Sequence, residues 1–205
     1  MTIPSKIIKY PSVAKGGDER MFIDFLEKAK VKYELIEHRQ VFTAQDKAAT
    51  LKVKPNIIGK TLVLKIDKRI SVVLIPANKN LDKNKFSAFV KHYGGSAVAS
   101  REGGKKVAKA LPTACLPDRQ GRQVKNLDFV SERIMKNQLK GVKVGAIPPF
   151  GNLWGLLTFI DGSLTNQPKI IINGGDYNFS IKITPACFKK IVPDLVVGNF
   201  SKPKK

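Results

Sequence analysis

The chain has 205 residues, 42% of them hydrophobic, enough for one domain with a sizeable core, with or without an appendage. No apolar run approaches the roughly 20 residues needed to cross a bilayer, and the N-terminal "MTIPSKIIKYPSVAKGG", broken by prolines and lysines, lacks the apolar region of a secretory signal; a cytoplasmic protein without membrane contact is expected. With 37 Lys+Arg against 16 Asp+Glu the net charge is +21, an excess that draws polyanions and points first to nucleic acid, the alternative being a merely solvated basic surface.

Residues 1–17 read as an irregular arm. "DERMFIDFLEKAK" follows, with Met21, Phe22, Phe25, Leu26 and Ala29 on one helical face behind an Asp18 cap. "KYELIEH" is extended. In "FTAQDKAATLKV", Thr43 serves as a cap with Asp46 three positions on, an apolar face of Ala48, Ala49 and Leu51, and Pro55 as the stop. "KTLVLKID" and "ISVVLIPA", rich in β-branched residues and joined by a short Lys-Arg link, predict a hairpin. "LDKNKFSAFVKHYGG" predicts a helix from the spacing of Phe86, Phe89, Val90 and Tyr93 and its closing glycines.

From Ser100 to about Leu127 the periodicity dissolves into a basic, Gly- and Pro-containing stretch, read as an extended insertion. "SERIMKNQLKG" is a short helix capped by Ser131. Strands are expected in "LWGLLTFID", "KIIIN" and "FSIKIT", then a last helix near "PACFKKIV" and a lysine-ended tail. The organisation expected is an arm (1–17), a single mixed α/β domain (18–198) carrying the basic insertion (about 100–127), and a basic tail (199–205).

Only two cysteines (Cys115 and Cys187) and two histidines (His38 and His92) are present, with no Cys-x-x-Cys pair, so neither a disulfide framework, a zinc site nor a Ser/His/Asp relay is suggested. Neither cysteine is expected to be a nucleophile. Three features remain. Lys60, at the mouth of a strand and beside Thr61, can receive a phosphate or carboxylate as a point charge, or be an ordinary edge lysine. "GAIPPFG" (Gly145, Ala146, Ile147, Pro148, Pro149, Phe150, Gly151) is stiffened by two prolines; it either exposes amides to a developing oxyanion or simply turns a corner. "NGGDYN", with Gly174 and Gly175, is a hairpin turn or a close approach of backbone to ligand.

In their order and approximate spacing, "FLEKAKVKYELIEH", "IIGKTLVLKID", "SVVLIPANKNLDKNKF", "GVKVGAIPPFG", "TFIDGSL" and "KIIINGG" resemble the YbaK/ProX family of free-standing aminoacyl-tRNA deacylases, relatives of the editing domain of prolyl-tRNA synthetase. The resemblance covers about residues 20–195 apart from the insertion. It implies an α/β (α+β) fold with a barrel-like mixed sheet surrounded by helices, and a hydrolase that cleaves the ester of mischarged tRNA without metal or other cofactor.

The family's lysine falls on Lys60 and its Gly-x-x-x-Pro loop on Gly145 through Pro149, giving Lys60, Gly145 and Pro149 as catalytic candidates. Lys60 would anchor the terminal tRNA phosphate or ribose, and the loop would supply pocket shape and amide donors. Water, a ribose hydroxyl or a substrate thiol would attack. Thr61, His38, Phe42, Thr43, Ala146, Ile147, Pro148, Phe150, Gly151, Asp161, Gly174 and Gly175 are the candidates for lining the substrate pocket; a lone histidine such as His38 is more often structural, and aspartate is favoured at the turn of Asp161 on conformational grounds alone. Lys60-Thr61 resembles the branch acting on Cys-tRNA(Pro). The insertion, Asp176 and Asn178 depart from the family pattern. Mischarged tRNA is the implied partner, with an aminoacyl-tRNA synthetase as a second; the rival reading is a non-catalytic RNA-binding or synthetase-docking module of the same fold.

Overall fold

The β-branched run of "KTLVLKI" and "RISVVLIP" builds the central hairpin, β3 (Gly59–Ile66) against β4 (Arg69–Pro76), in the computed structural model. The residues described are 7–8, 17–95, 99–102, 105–108, 124 and 126–204. The hairpin register pairs Ile66 with Arg69, so the turn is Asp67-Lys68 and not the Lys-Arg link expected; Asp67 takes φ +54°, the left-handed conformation a two-residue turn requires.

Strand β4 continues in parallel with β9 (Leu157–Asp161), and β9 in parallel with β12 (Val196–Gly198), while β8 (Leu127–Phe129) pairs antiparallel with β3. The resulting five-stranded sheet, in the order β12-β9-β4-β3-β8, is mixed as expected. It is not closed into a barrel: β12 and β8 are its two edges. A second, antiparallel sheet holds β1 (Ile7–Ile8), β2 (Tyr33–Glu37), β11 (Phe179–Ile183) and β10 (Ile170–Asn173), in that order. The two sheets meet where Ile58, just before β3, forms a parallel bridge with Ile171 of β10.

Alternation along the central strands sends side chains to two cores. Leu74 and Ile160 face a cluster with Phe22 and Leu26 of α1 (Gly17–Lys28) and Phe188 and Ile191 of α6 (Pro185–Ile191). Val73, Ile75 and Phe159 face the other side, against Phe86 and Val90 of α3 (Lys83–Gly95) and Phe200. Each such large apolar side chain stabilises the fold by roughly 1.5–3 kcal/mol, so the Phe and Leu positions of the helices account for their docking. Side chains of Asp18, Met21 and Tyr93 lie outside the described residues, as does Cys115.

Helix α2 (Ala44–Leu51) is capped as expected: Asp46 N–H donates to Thr43 Oγ1 at 3.0 Å. It ends at a left-handed Lys52, before Pro55 is reached, and its buried side comprises Lys47 and Ala48 with Ala44 and Leu51 packed alongside, leaving Ala49 exposed. Ser131 precedes α4 (Glu132–Gln138) in extended conformation but its side chain makes no capping bond. Four-residue α5 (Gly162–Thr165) follows β9.

Three features differ from the sequence expectation. The insertion contains a two-stranded ribbon, β6 (Ala99–Glu102) with β7 (Lys105–Ala108). The N-terminal arm contributes β1. Residues Ser201–Pro203 of the supposed tail form β13, paired antiparallel with β5 (Lys79–Leu81). Short strands of two to four residues lack a readable period and owe their existence to a partner distant in sequence.

Candidate active site

Where the two sheets meet, the start of β3, the end of β10, the N-terminal half of α2 and the corner at Gly145 enclose a cavity of about 190 Å³. Strand β3 brings Lys60, Thr61 and Leu62 to it, α2 and its leading loop bring Phe42, Thr43 and Lys47, and β10 with the following turn brings Asn173, Asp176 and Tyr177. Lys60 and the Gly145-Ala146 corner therefore border one space, although they are 85 positions apart in sequence.

Lys60 Nζ lies 3.5 Å from Asn80 Oδ1 on β5, and its pKa is pushed below the ordinary lysine value by burial and then by the nearby charge of Lys204, which follows β13. Thr61 Oγ1 is buried without a hydrogen-bond partner. At the opening, Phe42 is 65% exposed, its ring 4.8 Å from that of Tyr177. The Tyr177 hydroxyl donates to Val144 O, and Asp176 Oδ2 accepts from Lys143 Nζ at 2.5 Å, so the turn after β10 is tied to the chain leading into Gly145.

The proline-rich loop contributes less lining than its sequence suggests. Only Gly145, with φ +89°, and Ala146 reach the cavity. Ile147 packs with Val63, Val130 and Leu139, and Phe150 stacks against Phe25 and Phe188. Pro148 and Pro149 are buried outside the lining. A Cβ at Gly151 would lie 2.5 Å from Thr158 Oγ1, to which the Gly151 N–H donates; no side chain fits there. Two of the expected amide donors are committed, Ala146 N–H to Lys143 O at 3.0 Å and Gly151 N–H to Thr158 Oγ1, and the prolines have none.

Four other candidates also stand outside the lining. His38 is buried, with Nδ1 donating to Arg39 O and Nε2 accepting from Ser180 Oγ, both at 2.8 Å; its pKa is lowered, chiefly by burial. Asp161 is 2% exposed and caps α5: its carboxylate accepts from the N–H groups of Ser163, Phe200 and Ser201. Gly174 and Gly175 join β10 to β11. Gly175 has φ +99°, its N–H donates to Ala146 O, and a Cβ there would meet the Phe22 ring at 2.8 Å, so the close approach is to a core aromatic.

The sequence pattern did not single out Lys47, and within NGGDYN it pointed to the glycines and not to Asn173 or Tyr177. Lys47 is 4% exposed, and burial pushes its pKa down to about 8. Its Nζ donates to Asn173 Oδ1 at 2.6 Å, and Asn173 Nδ2 in turn lies 3.4 Å from the carbonyls of Gly145 and Ile147. The signal for it was the helical spacing Ala44-Lys47-Ala48-Leu51, which sets one lysine in an otherwise apolar face.

Among the described residues no cluster of three His, Cys, Asp or Glu side chains is placed to hold a metal ion, and no helix is long and apolar enough to cross a membrane. No curated protein matches the chain by sequence. Among solved structures, a "putative trans-editing enzyme for prolyl tRNA synthetase" superposes with a TM-score of 0.66 at 18% identity, over 92% of this chain and 99% of that one. A hypothetical protein does so with a TM-score of 0.66 at 18% identity, over 88% and 98%. A signal transduction protein from Marinobacter aquaeolei VT8, likewise "putative", matches with a TM-score of 0.55 at 11% identity, over 88% of this chain and 30% of its own length. At these identities the structures share the fold. By sequence, residues 119–191, which include the Gly145 corner, β10 and Asn173, carry the pattern of the aminoacyl-tRNA editing domain family.

Proposed function

We propose that the protein is an aminoacyl-tRNA deacylase, which hydrolyses the ester linking a wrong, small amino acid to the end of a tRNA. One observation carries the reading: a single small cavity joins Lys60 and Thr61 to the Gly145-Ala146 corner, and that corner lies in the segment, residues 119–191, that carries the editing-domain pattern. At about 190 Å³ it is smaller than the roughly 300–1,000 Å³ pockets that enclose drug-sized ligands, so it suits a small acyl group and leaves the nucleotide outside. Cysteine, the acyl group suggested by Lys60-Thr61, is the first to test.

In this reading Lys60, flanked by Lys204, holds the terminal phosphate or ribose as a point charge. The exposed Phe42 ring at the opening gives the terminal base a stacking surface. The buried prolines behind Ala146 keep the wall from yielding to larger acyl groups, and holding the ester carbonyl in place favours attack by water.

The test is incubation of the protein with Cys-, Ala- and Ser-tRNA in mischarged form. Ester loss that disappears in Lys60→Ala, with RNA affinity largely kept, is expected. The charge of +21 favours a second reading, an RNA-binding module that has no catalysis; tRNA binding with no deacylation of any substrate would establish that one.

A further inference from the structure

The cavity holds a lysine that the proposed mechanism has not yet used. Lys47 enters it from α2, yet no carboxylate of the described residues forms an ion pair with it. Among the described residues, the Nζ hydrogen bond goes to a neutral amide, Asn173 Oδ1. A buried ammonium needs a compensating partner, and an apolar residue of similar length would serve the packing of Ala44, Ala48 and Leu51 better. Folding therefore gives no reason for a lysine here.

The second observation is independent of the first. Thr61 Oγ1, on the β3 side of the cavity, is a buried hydroxyl with no partner. The loop offers few of the backbone amides that an ester-cleaving site needs for its oxyanion: Ala146 N–H is committed to Lys143 O, Pro148 and Pro149 have no N–H, and at the cavity this leaves Gly145 N–H. An ammonium met by a neutral amide oxygen and a hydroxyl without a partner thus both border the space that, on the deacylase reading, receives the acyl group.

We propose that the Lys47 ammonium, assisted by the Thr61 hydroxyl, is the hydrogen-bond donor for the acyl carbonyl oxygen, making Lys47 a catalytic residue distinct from the phosphate-holding Lys60. Water oxygen bonds to the acyl carbon and the carbonyl π pair moves onto oxygen, giving a tetrahedral oxyanion that Lys47 and Thr61 hold. The pair returns, the bond from carbon to ribose oxygen breaks, and that oxygen takes one proton of the water. The other ionises from the released carboxylic acid to solvent. Asn173, locked by the Gly145 and Ile147 carbonyls, is the positioning residue that aims the ammonium.

The inference rests on the deacylase reading, and single-turnover hydrolysis of mischarged tRNA separates the two. Lys47→Met is expected to lower the rate by about 100- to 1,000-fold with tRNA affinity within about threefold, and Lys47→Arg, which keeps the charge, to recover part of the loss. Thr61→Val, which keeps the shape, is expected to cost less, about tenfold. After subtraction of uncatalysed hydrolysis, the wild-type rate is expected to fall as pH rises through about 8, because the donor must be charged.

The other titratable groups bordering Lys47 are Lys60, Tyr177, Asp176 paired with Lys143, and His38 packed nearby. The Lys47→Arg profile assigns the limb, since arginine keeps its charge and the limb should vanish. Wild-type hydrolysis that survives Lys47→Met, or a wild-type rate that climbs through pH 8 to a plateau as for a neutral base, overturns the assignment alone. No hydrolysis by the wild type overturns the deacylase reading and this inference with it. If Lys47→Met does not fold, Thr61→Val and the two pH profiles still decide.

Discussion

Asn173 Oδ1 accepts from Lys47 Nζ at 2.6 Å while Asn173 Nδ2 lies 3.4 Å from the carbonyls of Gly145 and Ile147. Carbonyls only accept, so they fix which way the amide points and turn its oxygen toward the lysine. One side chain at the end of β10 thereby links α2 to the proline-rich corner.

Asn173→Asp tests this link. A carboxylate cannot donate to the two carbonyls, and it sets a negative charge beside Lys47, which favours the ammonium and raises its pKa above about 8. The alkaline fall in rate should move to higher pH, with a loss of order 10- to 100-fold at pH 7 from the slackened corner. A pH-rate profile with an unmoved limb would disconnect the two residues.

Lys47 also makes a prediction about stability. Its folded pKa of about 8 is below the ordinary 10.5, so between those values the unfolded chain binds the proton more tightly. The folded state is penalised in full below about pH 8, and the penalty shrinks as pH rises to 10.5 and is gone above it, where both states are neutral. The gap corresponds to at most about 3 kcal/mol. Lys47→Met removes that penalty but strips Asn173 Oδ1 of its donor, at a cost of about 1–3 kcal/mol. Near pH 7 the variant should melt at the same temperature or a few degrees higher, and wild type should gain on it as pH rises from 8 to 10.5. Denaturant unfolding of both proteins across that range measures the difference. Parallel curves with a less stable variant would make Lys47 structural.

The sequence made the hairpin β3-β4 and the helices legible because their signals are local: β-branched alternation, a Thr43 cap, and Phe and Leu at helical spacing. It also brought Lys60 and Gly145 to one site, through the ordered set of family-like motifs. Lys47 escaped because the face of α2 was assigned from its apolar members, and a lysine reads as solvated until the packing around it is known. The glycines and prolines of the loop announced stiffness but could not say which side would be buried. Strands β12 and β13, at three residues each, exist through pairing with β9 and β5 and leave no periodic trace.

Asp161 illustrates the opposite error of assignment. Burial alone would raise its pKa, but hydrogen bonds from Ser163, Ser201 and Phe200 outweigh that and hold it below the usual carboxylate value. Its contribution is present above the unfolded value near 3.8 and is lost as pH falls through the lower folded one. Asp161→Ala leaves the N–H groups of Ser163, Phe200 and Ser201 without their acceptor, which should destabilise the fold by about 2–4 kcal/mol. The variant should lose the acid-dependent part of wild-type stability while the rate per folded molecule stays unchanged. Thermal melts from pH 3 to 7, with activity normalised to folded protein, check this; a specific loss of rate would return Asp161 to the site.

On the proposed function, Phe42 and Lys60 hold the same RNA end in different ways, and salt separates them. Stacking of a base on Phe42 is insensitive to ionic strength, whereas a phosphate held by Lys60 releases a counterion. Phe42→Ala should weaken tRNA binding by about 1–3 kcal/mol, with the slope of log affinity against log salt unchanged. Lys60→Ala should make that slope shallower by about 0.7 for a single-stranded terminus. Because Lys204 adds its charge beside Lys60, the double substitution with Lys204→Ala should flatten the slope further. Binding titrations between 50 and 200 mM salt, roughly the range over which phosphate contacts dominate, give both quantities. A slope untouched by either lysine would move the phosphate contacts to another part of this basic surface, whereas an unaltered affinity in Phe42→Ala would remove the base from the rim of the cavity.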